Sequence, residues 1–236
     1  MTFHCLFEQS GTFKNVLKSY GHQAFDYDIL NNYGQTDFQI DLFKEIENEY
    51  LNLTAGGGRV ETIFSKMSPE NDFIIAFFPC THFCDANQLQ YRLLIGGKKR
   101  ELNQDSVDRL IKRNNDRAYY FELYLKFTFI CKSKGIRTII ENPASSGDKN
   151  YLVMFSPIDV GYHEKDRSLW GDVFKKPTNF FAINFEMKEQ FQMFTPTTHK
   201  VIYKDTMGFQ ERSEIDKLYA DNFYKRFLEK SLKSAN

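Results

Sequence analysis

The chain has 236 residues, 42% hydrophobic and 16% aromatic, with 24 Phe and 13 Tyr, enough for one sizeable core. Lys plus Arg and Asp plus Glu both number 31, so the formal net charge is zero. That excludes a global basic field pulling the protein onto nucleic acid and leaves room only for a local basic groove. The opening MTFHCLFEQSG lacks the pattern of a signal peptide, and no apolar run approaches the roughly 20 residues of a bilayer span. With Cys5, Cys80, Cys84 and Cys131 read as reduced thiols, a cytoplasmic protein without membrane attachment is expected.

Along the chain, TFHCLF (2–7) reads as a short strand and FKNVLKSYG as a helix, with Phe13, Val16, Leu17 and Tyr20 at helical spacing and Gly21 at its end. HQAFDYDIL reads as a second strand, so the first 30 residues form a βαβ unit with parallel pairing. Residues 37–53 begin in an acidic turn and settle into a helix whose expected stripe is Phe43, Ile46, Tyr50 and Leu53. TAGGGRVE (54–61) is a flexible break that lacks the pattern of a phosphate loop, and ETIFSKM suits a short helix or a strand. NDFIIAFF (71–78) is a continuous apolar run, as for a strand covered on both faces. A long helix over about 106–134, closed by Gly135, precedes the strand IRTII (136–140). Residues 167–187 look β-like and turn-rich, and 211–233 helical with a stripe of Ile215, Leu218, Tyr219, Phe223 and Phe227. Strands alternating with helices predict an α/β fold with a doubly wound, mostly parallel sheet.

In such folds function gathers at the carboxyl ends of strands, and EQSGT, PCTHFC and ENPASS each directly follow an expected strand. Cys80 there is either a small buried hydrophobe or a nucleophile, and Glu141 either a turn acid or an acid–base group. The alternation of Cys80, His82 and Cys84 invites a metal reading, but the remaining Cys and His supply no second paired spacing, so no metal is expected. KKRELNQDSVDRLIKRNNDR (98–117) is either a solvated helix face or a place for a phosphate backbone.

Taken in order, these stretches resemble the cytosine-C5 DNA methyltransferases. LFEQSGTFKNVLKSYGHQAFDYDI resembles the family's first two motifs, QIDLF (39–43) its third, PCTHFC its Pro-Pro-Cys motif and IIENP (139–143) its Glu-Asn-Val or Glu-Asn-Pro motif; RSEIDKLYADNF resembles its last helix. The resemblance implies a class I S-adenosylmethionine-dependent methyltransferase fold. Its divisions would be a cofactor-binding and catalytic core over 1–150, a small substrate-facing lobe or insertion over 151–205, and a C-terminal helix in 206–236 that packs back on the core. S-adenosyl-L-methionine would lie against Phe7, Glu8, Ser10, Gly11, Thr12 and Pro79, with Asp28 on the ribose hydroxyls and Asp41 on the adenine amino group. Cys80 would add to C6 of cytosine and Glu141 would hold the N3 edge of the base, with DNA as the expected partner. Asn142 would shape the loop beside the base, and GDVFKKPT (171–178), with Lys176 and Thr178, would face the substrate. Three departures stand out: Phe78 replaces the first proline of Pro-Pro-Cys, Cys84 replaces a serine, and no Gln-x-Arg-x-Arg motif is present. A non-catalytic protein that binds cofactor or nucleotide on the same scaffold is the alternative.

Overall fold

Side-chain alternation along the central strands sets the architecture of the computed structural model, which describes residues 1–56, 58–83, 91, 94–95, 98–99, 103–144, 150–190 and 215–233. In β1 (Thr2–Leu6), Phe3 and Cys5 enter one hydrophobic core and Leu6 the other; in β4 (Asp72–Ala76), Phe73 and Ile75 separate in the same way from Ile74 and Ala76. Successive residues of a strand point to opposite faces, so a strand buried on both faces must be apolar throughout. β4 is buried along its whole length.

The strands are β1, β2 (Gln23–Asp28), β3 (Phe38–Gln39), β4, β5 (Leu94–Ile95), β6 (Lys98–Lys99), β7 (Arg137–Pro143), β8 (Val160–Glu164) and β9 (Thr178–Ile183). Seven form one sheet in the order β3-β2-β1-β4-β7-β9-β8, and β5 and β6 make a separate antiparallel hairpin. The first five strands of that order run parallel, while β9 runs antiparallel to both β7 and β8. The chain is thus an α/β protein with a mostly parallel seven-stranded sheet. Of the stretch expected as a small substrate-facing lobe or insertion (151–205), the described residues 151–190 supply β8 and β9 of this sheet.

One face carries α1 (Thr12–Ser19) and the C-terminal helix; the other carries α2 (Leu42–Thr54) and the second half of α3 (Gln104–Ser133). The expected stripe of α2 holds for Ile46, buried in the core, and for Phe43 and Tyr50, packed against it, but not for Leu53. Leu42, Ile46 and Glu49 are buried, whereas Leu53 is exposed. Asp41 caps the helix through Oδ1, which accepts from Phe43 N and Lys44 N and fixes where the first turn begins. Glu49 tolerates burial because its carboxylate accepts from Thr62 Oγ1 at 2.6 Å and pairs with Lys134 Nζ at 3.0 Å.

The basic stretch 98–117 begins in the β5–β6 hairpin and continues along the first half of α3, where Arg109 and Lys112 are exposed. α4 (Tyr151–Phe155) follows β7. The last helix starts as α5 (Lys217–Phe223), passes through a π-helical turn (Tyr224–Leu228) and ends as α6 (Glu229–Lys233). It packs on α1. Tyr20 and Tyr224 stack at 4.1 Å, Phe13 meets Phe223 at 5.6 Å, and Tyr20 Oη donates to Asp221 at 2.6 Å. Arg226, fully buried, ties this helix to β8 by pairing with Glu164 at 2.7 Å while lying 3.6 Å from the Trp170 ring. Buried charge is tolerated when paired and hydrogen-bonded in this way.

Candidate active site

The sheet's order reverses between β1 and β4, because the chain builds outward to β3 and then returns across β1 to lay down β4. The connections leaving the carboxyl ends of these two neighbours turn to opposite sides and open a crevice. A cavity of about 510 Å³ lies there, lined by Phe7 to Ser10 after β1, Asp28 at the end of β2, Asp41 after β3, Phe77 to Thr81 after β4, Glu141 and Pro143 of β7, and Lys176 before β9. Of the residues singled out from sequence, Phe7, Glu8, Ser10, Asp28, Asp41, Pro79, Cys80, Glu141 and Lys176 meet in this one space. Gly11, Thr12, Asn142 and Thr178 are not on its wall.

The loop after β1 is built around two left-handed residues. Phe7 has φ 60° and Gly11 has φ 73°. The first is costly for a residue with a side chain, and such strain persists only where packing holds it. Here the Phe7 ring packs 5.4 Å from Phe43 and 5.2 Å from Phe78. Gly11 is the N-cap of α1 and offers no side chain to the open helix end, so Glu8 supplies one. Its Oε1 accepts from Phe13 N at 3.1 Å and from Ser10 Oγ at 3.0 Å. Gly11 therefore serves backbone geometry: a Cβ there would lie 3.0 Å from Asn15 Nδ2 and 3.1 Å from Gln35 Cβ. Thr12 closes the turn by accepting from Ser10 Oγ.

Behind the loop, Cys5, Glu8 and Asp26 bring one ligand-type atom each within 4.8 Å of one another. Burial, and then the charge of Glu8, push the Asp26 carboxyl up to about 8, against the pull of Lys14 at 3.3 Å. Burial likewise raises Glu8 and drives the Cys5 thiol up. Asp28 is raised by burial and accepts from Leu30 N at 2.8 Å. Asp41 combines its capping role with a place on the cavity wall.

After β4, Phe78 is 1% exposed and meets the rings of Phe7, Phe43, Phe83, Tyr124 and Phe127. It anchors the segment that carries Cys80 at the cavity. Phe83 N donates to Cys80 O at 2.9 Å, closing a tight turn over Thr81–Phe83. Among the described residues no helix starts at this turn. His82 stacks on Tyr120 at 4.6 Å and bonds Tyr91 Oη at 3.1 Å. Cys84 lies outside the described residues.

β7 projects past β4, since its pairing with β4 ends at Ile140 while its pairing with β9 continues through Glu141, Asn142 and Pro143. Glu141 thereby reaches the cavity. Asn142 is fully buried, and its Oδ1 accepts from Asn150 Nδ2 at 3.1 Å, which in turn caps α4; its work is to fasten the loop. Thr178 is buried opposite Pro143.

Sequence reasoning missed Arg167. Its guanidinium is buried, pairs with the buried Asp172, sits 3.6 Å from the Glu141 carboxylate and lies 4.7 Å from the Tyr219 ring. Nothing in DRSLWGD announces a link to Glu141; antiparallel pairing of β9 with β7 creates it. Lys176 is partly exposed by area, yet packed closely enough that desolvation lowers its pKa against the opposing charges of Glu141, Cys80 and Asp172. Among the described residues, the charged ones on the wall are Glu8, Asp28, Asp41, Glu141 and one cation, Lys176, and Phe7, Tyr33, Phe43, Phe77 and Phe78 supply aromatic surface.

No helix among the described residues is long and apolar enough to cross a membrane. The chain matches no family model, and no characterised protein sequence matches it.

Proposed function

We propose that this protein is an S-adenosylmethionine-dependent methyltransferase of the class I type acting on cytosine C5 in nucleic acid, DNA first, through a covalent bond from Cys80 to the base. One observation carries the reading. Cys80 and Glu141, on separate strand ends, face a single cavity whose other walls are the Phe7–Ser10 loop, Asp28 and Asp41. The donor set suits the cofactor, because aromatic faces and carboxylates favour a cationic sulfonium and ammonium. Asp28 and Asp41 can accept from hydroxyl and amino groups. When bound, S-adenosylmethionine supplies an electrophilic methyl group.

The chain's own residues account for the rest. Cytosine C5 is a weak nucleophile, so the Cys80 thiolate adds to C6 and the displaced electron pair moves onto the ring, making C5 nucleophilic. The Glu141 carboxyl gives a proton to N3 as that charge builds, and Arg167 holds the carboxylate in place. After methylation the C5 proton leaves to water, the S–C6 bond breaks with its electron pair returning to sulfur, and N3 returns its proton to Glu141. A base in a duplex must leave the stack to reach a thiol at this depth.

The test is incubation with labelled S-adenosylmethionine and DNA containing 5-fluorocytosine, whose fluorine blocks the elimination. A stable protein–DNA adduct that disappears in Cys80→Ala is expected. Cofactor binding without an adduct on duplex, single-stranded DNA or RNA would refute methyl transfer and leave a binding protein.

A further inference from the structure

We infer that Lys176 is the cation that holds Cys80 as a thiolate, an inference that rests on the reading of this site as a methyl-transfer centre. A nucleophilic cysteine needs a helix N-terminus, a neighbouring cation or a metal to ionise near neutral pH. Cys80 opens a tight turn, and among the described residues no helix begins there. The described cavity wall offers charges that can do the same. Arg167 is committed to Asp172 and Glu141. Among the described residues, Lys176 is the one cation on the cavity wall, beside four carboxylates.

The fold fixes Lys176 in that place. Ala144 N donates to Pro177 O at 2.9 Å, and Thr178 pairs with Pro143, so the segment is fastened across from the strand end that carries Glu141. Pro177 also restricts the backbone of the residue before it to an extended form. At its tip, the ammonium is penalised by desolvation and favoured by Glu141, Cys80 and Asp172, with Arg167 opposing. Interaction between two charges is mutual. An anion on Cys80 that stabilises the Lys176 ammonium is stabilised by it to the same degree. Ionisation breaks the S–H bond, passes the proton to solvent and leaves the electron pair on sulfur; no further reactant is required.

The experiment is alkylation of Cys80 in the full chain by iodoacetamide across pH, without cofactor or DNA, read by mass spectrometry of the Cys80 peptide. The wild type is expected to show a midpoint below the ordinary cysteine value of about 8.5. Lys176→Met is expected to raise that midpoint by about one pH unit, slowing labelling at neutral pH roughly tenfold. Lys176→Arg keeps the charge and is expected to keep the midpoint, and Lys176→Gln replaces the Met variant if that one does not fold. A wild-type midpoint at the ordinary value, an unchanged midpoint on loss of the charge, or an equal rise in the Arg variant would overturn the inference. A Lys176-dependent thiolate in a protein that forms no adduct would support this role while refuting methyl transfer. An adduct-forming protein whose Cys80 midpoint ignores Lys176 would do the reverse.

Discussion

Phe78→Ala tests whether the residue that replaces the expected proline serves the core. Phe78 is 1% exposed and its ring meets five others, at 5.2 Å (Phe7), 5.8 Å (Tyr124), 6.1 Å (Phe43), 6.3 Å (Phe127) and 6.4 Å (Phe83). Removing a fully buried Phe costs about 3–5 kcal/mol through lost transfer energy and the cavity left behind. For a chain of 236 residues, that corresponds to a fall in Tm of about 6–10 °C. Urea unfolding followed by fluorescence, with thermal melting alongside, measures it. Phe78→Leu, which keeps most of the volume, should lose less than half as much. Phe78→Pro should lose at least as much as the Ala variant, since it also deletes the ring. A loss under about 1 kcal/mol in Phe78→Ala would show that the aromatic cluster does not hold this segment, and the structural reading of the substitution would fall.

Gly11→Ala places a side chain at φ 73° with contacts at 3.0 and 3.1 Å. It should cost about 1–2 kcal/mol and weaken cofactor binding measured by calorimetry; unchanged affinity would separate the loop's shape from the cofactor site. Arg167→Met leaves Asp172 and Glu141 buried without their cation and should destabilise by about 3–5 kcal/mol. The double variant Arg167→Met/Asp172→Asn should recover part of that loss in urea unfolding, and a purely additive result would argue against the coupling. For Asp26, whose folded carboxyl is pushed up to about 8 from about 3.9 when unfolded, the folded state binds the extra proton between those values. Its contribution is therefore fully present below about 4 and is lost as pH rises toward about 8. Asp26→Asn should flatten that slope in unfolding measured from pH 5 to 9, and a slope equal to wild type would refute the assignment. His4 carries the opposite sign: desolvation lowers its pKa between Tyr27 Oη and Asp72. Its contribution is thus lost as pH falls below about 6.5, and His4→Gln should lessen the loss of stability between pH 7 and 5.

Local sequence fixed what local physics controls. The apolar run at 71–78 could only be a strand covered on both faces, Gly21 and Gly135 had to end helices in the left-handed region, and strand-end polar clusters had to gather at one edge of a parallel sheet. From that, the meeting of Cys80 and Glu141 at one edge was legible, while Asp28 and Asp41 were singled out by the family resemblance. Other features depended on pairings between distant segments, which periodicity does not encode. β9 running antiparallel beside β7 brought Arg167 to Glu141 and Lys176 to the cavity wall, and it turned Asn142 and Thr178 inward. The N-cap at Asp41 starts α2 at Leu42, which is buried along with Glu49. IIAFFPC shows both sides of this division. Sequence placed Cys80 beyond a strand end, but only packing revealed that Phe78 is held by five rings and that Lys176 shares the cavity wall with Cys80, because contact and desolvation are properties of the folded whole.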